Sequence, residues 1–173
     1  MHNFHGELGK LVQAREEDFC FQTNITAALD KIISALPERK GRNEIIYSDI
    51  DYSSIRYLLE KTNSLGFSPV EYKAKKGVLD PDEISERMTE KTQLLFITHT
   101  ISGSCRINPV QELLKLARKK GVFTVLDIAM SSGIVPLDFR DIDADFIVGT
   151  SLKWLCGGTG AGFLWSNPKT ADQ

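Results

Sequence analysis

The sequence predicts an α/β fold, a three-layer doubly wound and mostly parallel seven-stranded sheet with helices on both faces. Short apolar runs alternate along the chain with segments whose apolar residues recur at helical spacing, an alternation typical of a parallel sheet. Several runs are apolar without a break, such as residues 94–97, which indicates strands buried on both faces. The length of 173 residues suits one domain and is sufficient to bury a sizeable core.

The predicted elements follow one another in a regular order. A strand at residues 18–22 precedes a helix at residues 25–36, in which the apolar side chains share one face. The other strands are predicted at residues 44–48, 68–72, 93–98, 122–126, 146–149 and 162–165. The other helices are predicted at residues 53–62, after Asp80, and from Asn108 to the basic run that ends at Gly121.

The helix after Asp80 has a clear start signal. Asp80 can accept hydrogen bonds from the first helical amides. Pro81 has no amide hydrogen, but in the first turn of a helix that hydrogen would have no helical carbonyl to bind. Glu83 is expected to reach back to the amide of the capping residue, as in a capping box.

The composition disfavours several classes of protein. With 21 Lys and Arg against 23 Asp and Glu, the formal net charge is −2, which is unsuited to a nucleic-acid partner. No apolar stretch has the ~18 residues of a membrane span, and the N-terminus lacks the layout of a signal peptide. His2 and His5 have no acidic or cysteine partner nearby, so we interpret them as part of a frayed terminus.

The three cysteines suit neither a disulfide framework nor a zinc site, because they are odd in number and far apart. Cys20, Cys105 and Cys156 are therefore interpreted as buried fillers. Their scarcity favours a reducing compartment, and we expect a cytoplasmic protein.

The first candidate site residues lie in segment 21–27, which leads from a strand into a helix. Open α/β sheets bind ligands at the carboxyl ends of their strands. The free amides of the helix N-terminus, together with threonine hydroxyls, can bind a phosphate group there. The alternative, which this segment alone favours, is that Thr23 or Asn24 only caps the helix.

Asp127 is the second candidate, because it directly follows an apolar strand. A carboxylate in that position loses hydration unless a cation or a hydrogen-bond donor meets it. It could be a catalytic acid, a metal ligand or the counter-ion of a protonated heterocycle, although no second histidine or carboxylate close by supports a metal. The alternative is a loop aspartate that accepts hydrogen bonds from neighbouring amides.

Lys153 is the third candidate, and it stands between an apolar strand and a glycine-rich turn. Its neighbours Leu152, Trp154 and Leu155 predict a lysine less exposed than the others, and desolvated lysines become nucleophiles or form Schiff bases. The alternative is a side chain that extends past these residues to water. The glycines at 157–162 do not form a dinucleotide fingerprint, and they are interpreted as a tight turn or a close backbone approach.

Together these three features are the parts that hold pyridoxal 5'-phosphate. The aldehyde of this cofactor requires an amine, its pyridine nitrogen requires a carboxylate, and its phosphate requires a helix N-terminus.

The stretch from Leu94 to Trp165 resembles the fold-type-I pyridoxal-phosphate enzymes of the class V aminotransferase group. This group includes cysteine desulfurases, kynureninases and serine–glyoxylate or alanine–glyoxylate aminotransferases. The runs at residues 125–133, 144–146 and 149–158 match the group in order and spacing, including the 26 residues from Asp127 to Lys153. Upstream, residues 21–29 resemble its phosphate-binding segment and residues 48–54 the segment that supplies a ring-stacking aromatic.

The resemblance implies a pyridoxal-phosphate transferase-like large domain and a role for each candidate. Lys153 would form the Schiff base and move the substrate's α-proton, Asp127 would keep the ring nitrogen protonated, and Tyr52 would stack on the ring. The phosphate would be bound by Thr26, the backbone of Ile25, Thr150 and Ser151. Ser102 and His99 could face the cofactor's edge, with an interior, hydrogen-bonded histidine as the alternative for His99.

Differences from the group bear on the reaction. Kynureninases carry histidine three residues after the aspartate and tyrosine before the lysine, where this chain has Met130 and Leu152. Desulfurases stack a histidine on the ring and place glutamine three residues after the aspartate, where this chain has Tyr52 and Met130. The resemblance therefore implies an enzyme acting on an amino acid, preferably an aminotransferase, with kynureninase-like or desulfurase-like lyases as alternatives. It also implies a homodimer.

The resemblance further implies that residues 1–173 are one cofactor-binding portion, without the group's N-terminal arm and C-terminal small domain. A different hypothesis is therefore a non-catalytic fragment that keeps the cofactor site. A nucleotide-binding doubly wound domain is the third, and it lacks support because no glycine follows the first strand.

Overall fold

Seven strands form one sheet in the computed structural model, which describes residues 2–170. In chain order they are β1 (Phe19–Gln22), β2 (Glu44–Ser48), β3 (Ser68–Tyr72), β4 (Thr92–Thr98), β5 (Phe123–Asp127), β6 (Phe146–Thr150) and β7 (Gly162–Ser166). Across the sheet the order is β1-β7-β6-β5-β4-β2-β3. Strands β2 to β6 pair in parallel, whereas β7 runs antiparallel to both β1 and β6. The predicted mostly parallel seven-stranded sheet is confirmed.

Five α-helices cover the two faces of this sheet. They are α1 (His2–Val12), α2 (Ile25–Ala35), α3 (Ser53–Lys61), α4 (Pro81–Arg87) and α5 (Val110–Lys119), with short 3-10 turns at Glu16–Asp18, Thr62–Leu65 and Lys75–Gly77. Helices α2 and α3 pack on the face that carries Ile45, Leu94 and Val125. The other three helices pack on the opposite face, where the strand residues next in sequence, such as Ile46 and Leu95, are buried.

The parallel register brings the carboxyl ends of the central strands together. Thr98 at the end of β4 lies beside Asp127 at the end of β5, and Asp127 lies beside Val148 of β6. Polar residues that follow these strands therefore meet at one edge of the sheet, where ligands of this architecture bind.

The expectation of a frayed N-terminus is wrong. Residues 2–12 form helix α1, because Leu8 and Val12 are buried in the core and Phe4 packs against it at the same helical spacing. The His5 ring is stacked on Phe19 of β1, with 6.1 Å between the ring centroids.

The prediction for the start of α4 is confirmed for Asp80 and wrong for Glu83. The Asp80 carboxylate accepts hydrogen bonds from the amides of Asp82 and Glu83, as an N-cap should. The predicted capping box does not form, because the Glu83 carboxylate instead pairs with the Lys75 ammonium and accepts a hydrogen bond from the Tyr72 hydroxyl. A charged partner gives the stronger hydrogen bond.

The interpretation of the cysteines as buried fillers is also wrong, since all three are exposed. Cys20 is in β1 at an edge of the sheet. Cys105 and Cys156 are loop residues with positive φ angles of 55° and 54°. In addition, no helix within residues 2–170 is long and apolar enough to cross a membrane.

Candidate active site

A cavity of about 200 Å³ lies at the carboxyl ends of β4, β5 and β6, between the N-termini of α2 and α3. Six of the seven predicted site residues line it, namely Ile25, Thr26, Tyr52, Asp127, Thr150 and Lys153. A wider groove of about 690 Å³ on the α5 side of the sheet contains none of the seven. The smaller cavity is therefore the candidate active site, because it brings together the residues that the sequence predicts.

The N-terminus of α2 forms one end of this cavity. The Asn24 side chain accepts a 2.8 Å hydrogen bond from the Ala27 amide, so the predicted cap is present. The Ile25 and Thr26 amides belong to the first turn, where no helical carbonyl can accept from them. The Thr26 hydroxyl donates to Ser54 Oγ at 3.1 Å and thereby joins the start of α2 to that of α3. Capping and anion binding are thus compatible here, because the cap occupies only the third amide.

Asp127 is almost fully buried at the floor of the cavity, with 6% of its surface exposed. Its Oδ1 accepts a 2.8 Å hydrogen bond from the Ala129 amide. Asp127 thus makes the local hydrogen bond of a loop aspartate, which was the alternative prediction for this residue. Burial raises the pKa of Asp127 to about 6, although the hydrogen bond from Ala129 opposes this shift. A cationic ligand group beside this carboxyl would stabilise its charged form.

Lys153 lines the cavity but is exposed to solvent, so the expectation of a shielded lysine is wrong. The adjacent Leu152 and Trp154 are themselves 50% and 48% exposed and do not cover it. Leu152 and Trp154 lie in a surface loop, where two apolar residues that flank a lysine in the sequence need not pack against its side chain. The structure therefore agrees with the alternative prediction, in which the Lys153 side chain extends past its apolar neighbours to water.

Ser151 does not line the cavity. Its side chain is buried within the lysine loop, where its hydroxyl is 2.9 Å from the Ala161 carbonyl and 3.2 Å from that of Gly158. The Ser151 amide also donates to the Ala161 carbonyl, and the Gly157 amide donates to the Ser151 carbonyl. Ser151 therefore shapes the loop that carries Lys153. Thr150, one residue earlier, does line the cavity.

Tyr52 has a position suited to contact with a bound molecule. It is the N-cap residue of α3, lines the cavity and has 56% of its surface exposed. A large aromatic ring with this much exposed surface next to a cavity is available for stacking.

Sequence reasoning missed two threonines in the cavity wall. Thr98 and Thr100 follow the apolar core of β4 and both line the cavity. Their hydroxyl oxygens are buried and have no hydrogen-bond partner within residues 2–170. The signal was present in the sequence, because threonines at alternate positions at a strand end point to the same face.

His99, between these threonines, faces the other side. Its Nδ1 lies 2.8 Å from Ser131 Oγ, and the ring lines the wider groove on the α5 side. Burial lowers the pKa of His99, which favours the neutral ring. The alternative prediction for His99, an interior and hydrogen-bonded histidine, is therefore confirmed. Ser102, in contrast, does line the cavity.

Comparison with known proteins gives the family. Residues 1–173 match the family described as aminotransferase class V. Isopenicillin N epimerase of Amycolatopsis lactamdurans is 34% identical over 158 residues, which are 87% of this chain and 40% of that protein. A probable cysteine desulfurase of Methanothermobacter thermautotrophicus and a kynureninase of Bacillus mycoides match at 28% and 29% identity. The chain spans about two fifths of the length of these curated relatives.

Solved structures show the same fold. The apo cysteine desulfurase of Thermococcus onnurineus NA1 superimposes with a TM-score of 0.85 at 22% identity, over 99% of this chain and 43% of that one. A mutant of the cystine C–S lyase C-DES, with glycine covalently linked to its PLP cofactor, gives a TM-score of 0.89 at 19% identity. It covers 99% of this chain and 46% of that one. The fold agrees with the family match over the whole chain, and the chain belongs to the aminotransferase class V family.

Proposed function

We propose that this chain binds pyridoxal 5'-phosphate in the cavity described above, as the cofactor-binding portion of an enzyme that acts on an amino acid. The observation that carries the proposal is that Lys153, Asp127 and the N-terminus of α2 line one cavity of about 200 Å³. An amine, a carboxyl group and an anion-binding helix end are the groups that the cofactor's aldehyde, pyridine nitrogen and phosphate require.

The cavity's own polar groups fit such a ligand. The hydroxyls of Thr98 and Thr100 are buried in its wall and have no hydrogen-bond partner among the described residues, which costs about 1–3 kcal/mol for each group. A polar ligand that accepts from or donates to these hydroxyls would remove that cost. The observed groups thus suit a molecule with several oxygen atoms.

Each residue has a chemical task in this proposal. Pyridoxal phosphate supplies an electron sink for the bonds at the α-carbon of the amino acid. The Asp127 carboxylate would hold a proton on the ring nitrogen, and Tyr52 would be available to stack on the ring. Lys153 Nζ would supply the amine that the aldehyde requires and the base that moves the α-proton.

The phosphate is assigned to the start of α2. The amides of Ile25 and Thr26 would donate to its oxygens, and the positive end of the helix dipole favours its charge. The Thr26 hydroxyl would also donate to the phosphate if it turned from Ser54 Oγ, which can donate to it instead. Thr150, which also lines the cavity, is assigned to the phosphate as well. Ser151 is assigned a positioning role in the loop, because its hydroxyl is directed at the Gly158 and Ala161 carbonyls.

Covalent attachment at Lys153 is tested by trapping. The purified chain is incubated with pyridoxal phosphate, reduced with borohydride, digested and examined by mass spectrometry. We expect a visible absorption band before reduction and a label on Lys153 after it, because this is the lysine that lines the cavity.

Two variants make this test specific. Lys153→Ala should lose both the band and the label, whereas Lys115→Ala, which removes an exposed lysine of α5, should keep both. An unchanged band in Lys153→Ala, or a label distributed over surface lysines, would contradict the assignment.

The reaction of the whole protein is a further part of the proposal. Transamination remains our first prediction, and a homodimer with an amino-acid substrate remains the expected assembly. Epimerisation is the second candidate, because the relative at 34% identity is an isopenicillin N epimerase. Release of a keto acid would identify the first reaction, and inversion at the α-carbon without keto acid would identify the second.

A further inference from the structure

The ring of Tyr52 lines the candidate site, yet packing does little to hold it. More than half of the surface of this residue is exposed, and its side chain makes no capping hydrogen bond at the start of α3. A large side chain that is exposed to this extent keeps several rotamers unless its backbone restricts them. The direction of the ring therefore depends on the turn that carries it, from Ser48 at the end of β2 to Ser53 at the start of α3.

Asp51, the residue before Tyr52, closes this turn from the side of β2. It has 5% of its surface exposed, and its Oδ2 accepts a 2.7 Å hydrogen bond from the Ser48 amide. The Asp51 amide in turn donates to the Ser48 carbonyl at 3.1 Å. Both backbone groups of Ser48, the last residue of β2, are thus bonded to Asp51, which fixes the residue next to Tyr52 to the end of a central strand.

On its other side Tyr52 is held by helix α3. The Tyr52 carbonyl accepts hydrogen bonds from the amides of Ile55 and Arg56, at 2.9 Å and 3.2 Å. The helix itself is anchored in the core through the buried side chains of Ile55 and Leu59. Tyr52 therefore lies between two fixed points, and the Asp51 carboxyl group forms the one that faces the strand.

The carboxyl group of Asp51 costs the fold stability. Its Oδ1 is buried and has no hydrogen-bond partner within residues 2–170, and a buried polar atom without a partner is unfavourable. A residue chosen for stability alone would not bring this second oxygen into the interior. Local costs of this kind are typical of functional sites, where the position of a group matters more than the stability it provides.

We propose that Asp51 is a positioning residue for Tyr52, and that its hydrogen bonds to Ser48 hold the turn in the shape that directs the tyrosine ring at a bound cofactor. The inference rests on the proposed stacking role of Tyr52. Asp51 itself does not line the cavity, so its effect on the cofactor passes through the residue that follows it.

A double-mutant cycle tests this relation. Fluorescence titration gives the dissociation constant for pyridoxal phosphate of the wild type, Asp51→Ala, Tyr52→Ala and the double variant. We expect Tyr52→Ala to weaken binding by up to about tenfold, the usual range for one aromatic contact, and Asp51→Ala by about threefold. The double variant should bind no more weakly than Tyr52→Ala, because Asp51 has nothing left to position once the ring is gone.

Three further variants separate positioning from a loss of stability. Asp51→Asn should keep the affinity, because its side-chain oxygen can still accept from the Ser48 amide. Asp51→Leu fills the buried space without an acceptor, so it should bind as weakly as Asp51→Ala and replaces that variant if the smaller side chain prevents folding. Asp145→Asn alters another buried carboxyl group, whose two oxygens accept from Thr124 and Thr170 before β6. It should lower the urea midpoint and leave the affinity unchanged.

The possible results lead to different conclusions. If Asp51→Ala weakens binding equally with and without the Tyr52 ring, Asp51 acts on the site by another route and the proposal is overturned. Unchanged affinity in both Asp51→Ala and Asp51→Leu would overturn it as well, while the proposed function would stand. Absence of binding in the wild type would instead overturn the proposed function, and this inference with it.

Discussion

At the scale of single residues, the end of β6 is held by a close contact that only glycine permits. Gly149 of β6 lies opposite Phe163 of β7 in the antiparallel register. A Cβ atom added at Gly149 would lie 2.3 Å from Phe163 Cζ and 2.6 Å from Cε1. The Phe163 ring is fully buried, so it has no space into which it can withdraw. This contact sets the position of the strand from which the Lys153 loop begins.

Gly149→Ala should therefore destabilise the protein by roughly 1–3 kcal/mol, the usual cost of forcing an extra methyl group into a packed core. Urea denaturation followed by circular dichroism measures the change. Gly158→Ala is the matched control, because the same methyl group at Gly158 in the lysine loop would meet no atom of residues 2–170 within 4 Å. A Gly149→Ala variant as stable as the control would mean that the ring moves aside without cost.

At the scale of elements, local patterns predicted most of the chain. Strands β2 and β3 have the predicted bounds, and most of the other predicted elements differ by one or two residues at an end. The pairing of β7 with β1 was not predictable from these patterns, because an apolar run does not specify its neighbours or its direction.

The start of α2 carries a prediction of its own. If this helix end binds the cofactor's phosphate, Thr26→Val should weaken the binding of pyridoxal phosphate by roughly tenfold, the effect of about 1.4 kcal/mol, since a hydrogen bond to a charged group is lost. Pyridoxal, which lacks the phosphate, is the matched ligand, and its binding should change little. Thr26→Ser should retain the affinity for both ligands.

Fluorescence or absorbance titration with each ligand gives the required dissociation constants. Equal weakening for pyridoxal and pyridoxal phosphate would show that Thr26 acts by another route, such as its hydrogen bond to Ser54. The comparison therefore separates phosphate recognition from the connection between α2 and α3.

At the scale of the whole molecule, polar groups buried in the candidate site and in the turn before Tyr52 weaken the fold that carries them. Asp51 and Asp127 are buried carboxyl groups whose pKa values are raised to about 7 and about 6. The hydroxyls of Thr98 and Thr100, which have no hydrogen-bond partner within residues 2–170, add to this cost. Sites of this kind are stabilised by the ligand they bind, because binding removes an unfavourable interaction that folding leaves in place.

This cost predicts how stability depends on pH. A carboxyl group whose pKa is higher in the folded than in the unfolded chain contributes stability that is complete at acidic pH and is lost as pH rises through its folded pKa. The free energy of unfolding of Asp51→Asn should therefore exceed that of the wild type increasingly from pH 5 to pH 8, by up to about 4 kcal/mol at roughly 1.4 kcal/mol per unit of pKa difference. His99, whose pKa is lowered by burial, acts in the opposite direction in both proteins, so the difference between them is the quantity to measure. Urea denaturation at both pH values gives this difference. If it is the same at pH 5 and pH 8, Asp51 is ionised in the folded protein as readily as in the unfolded chain.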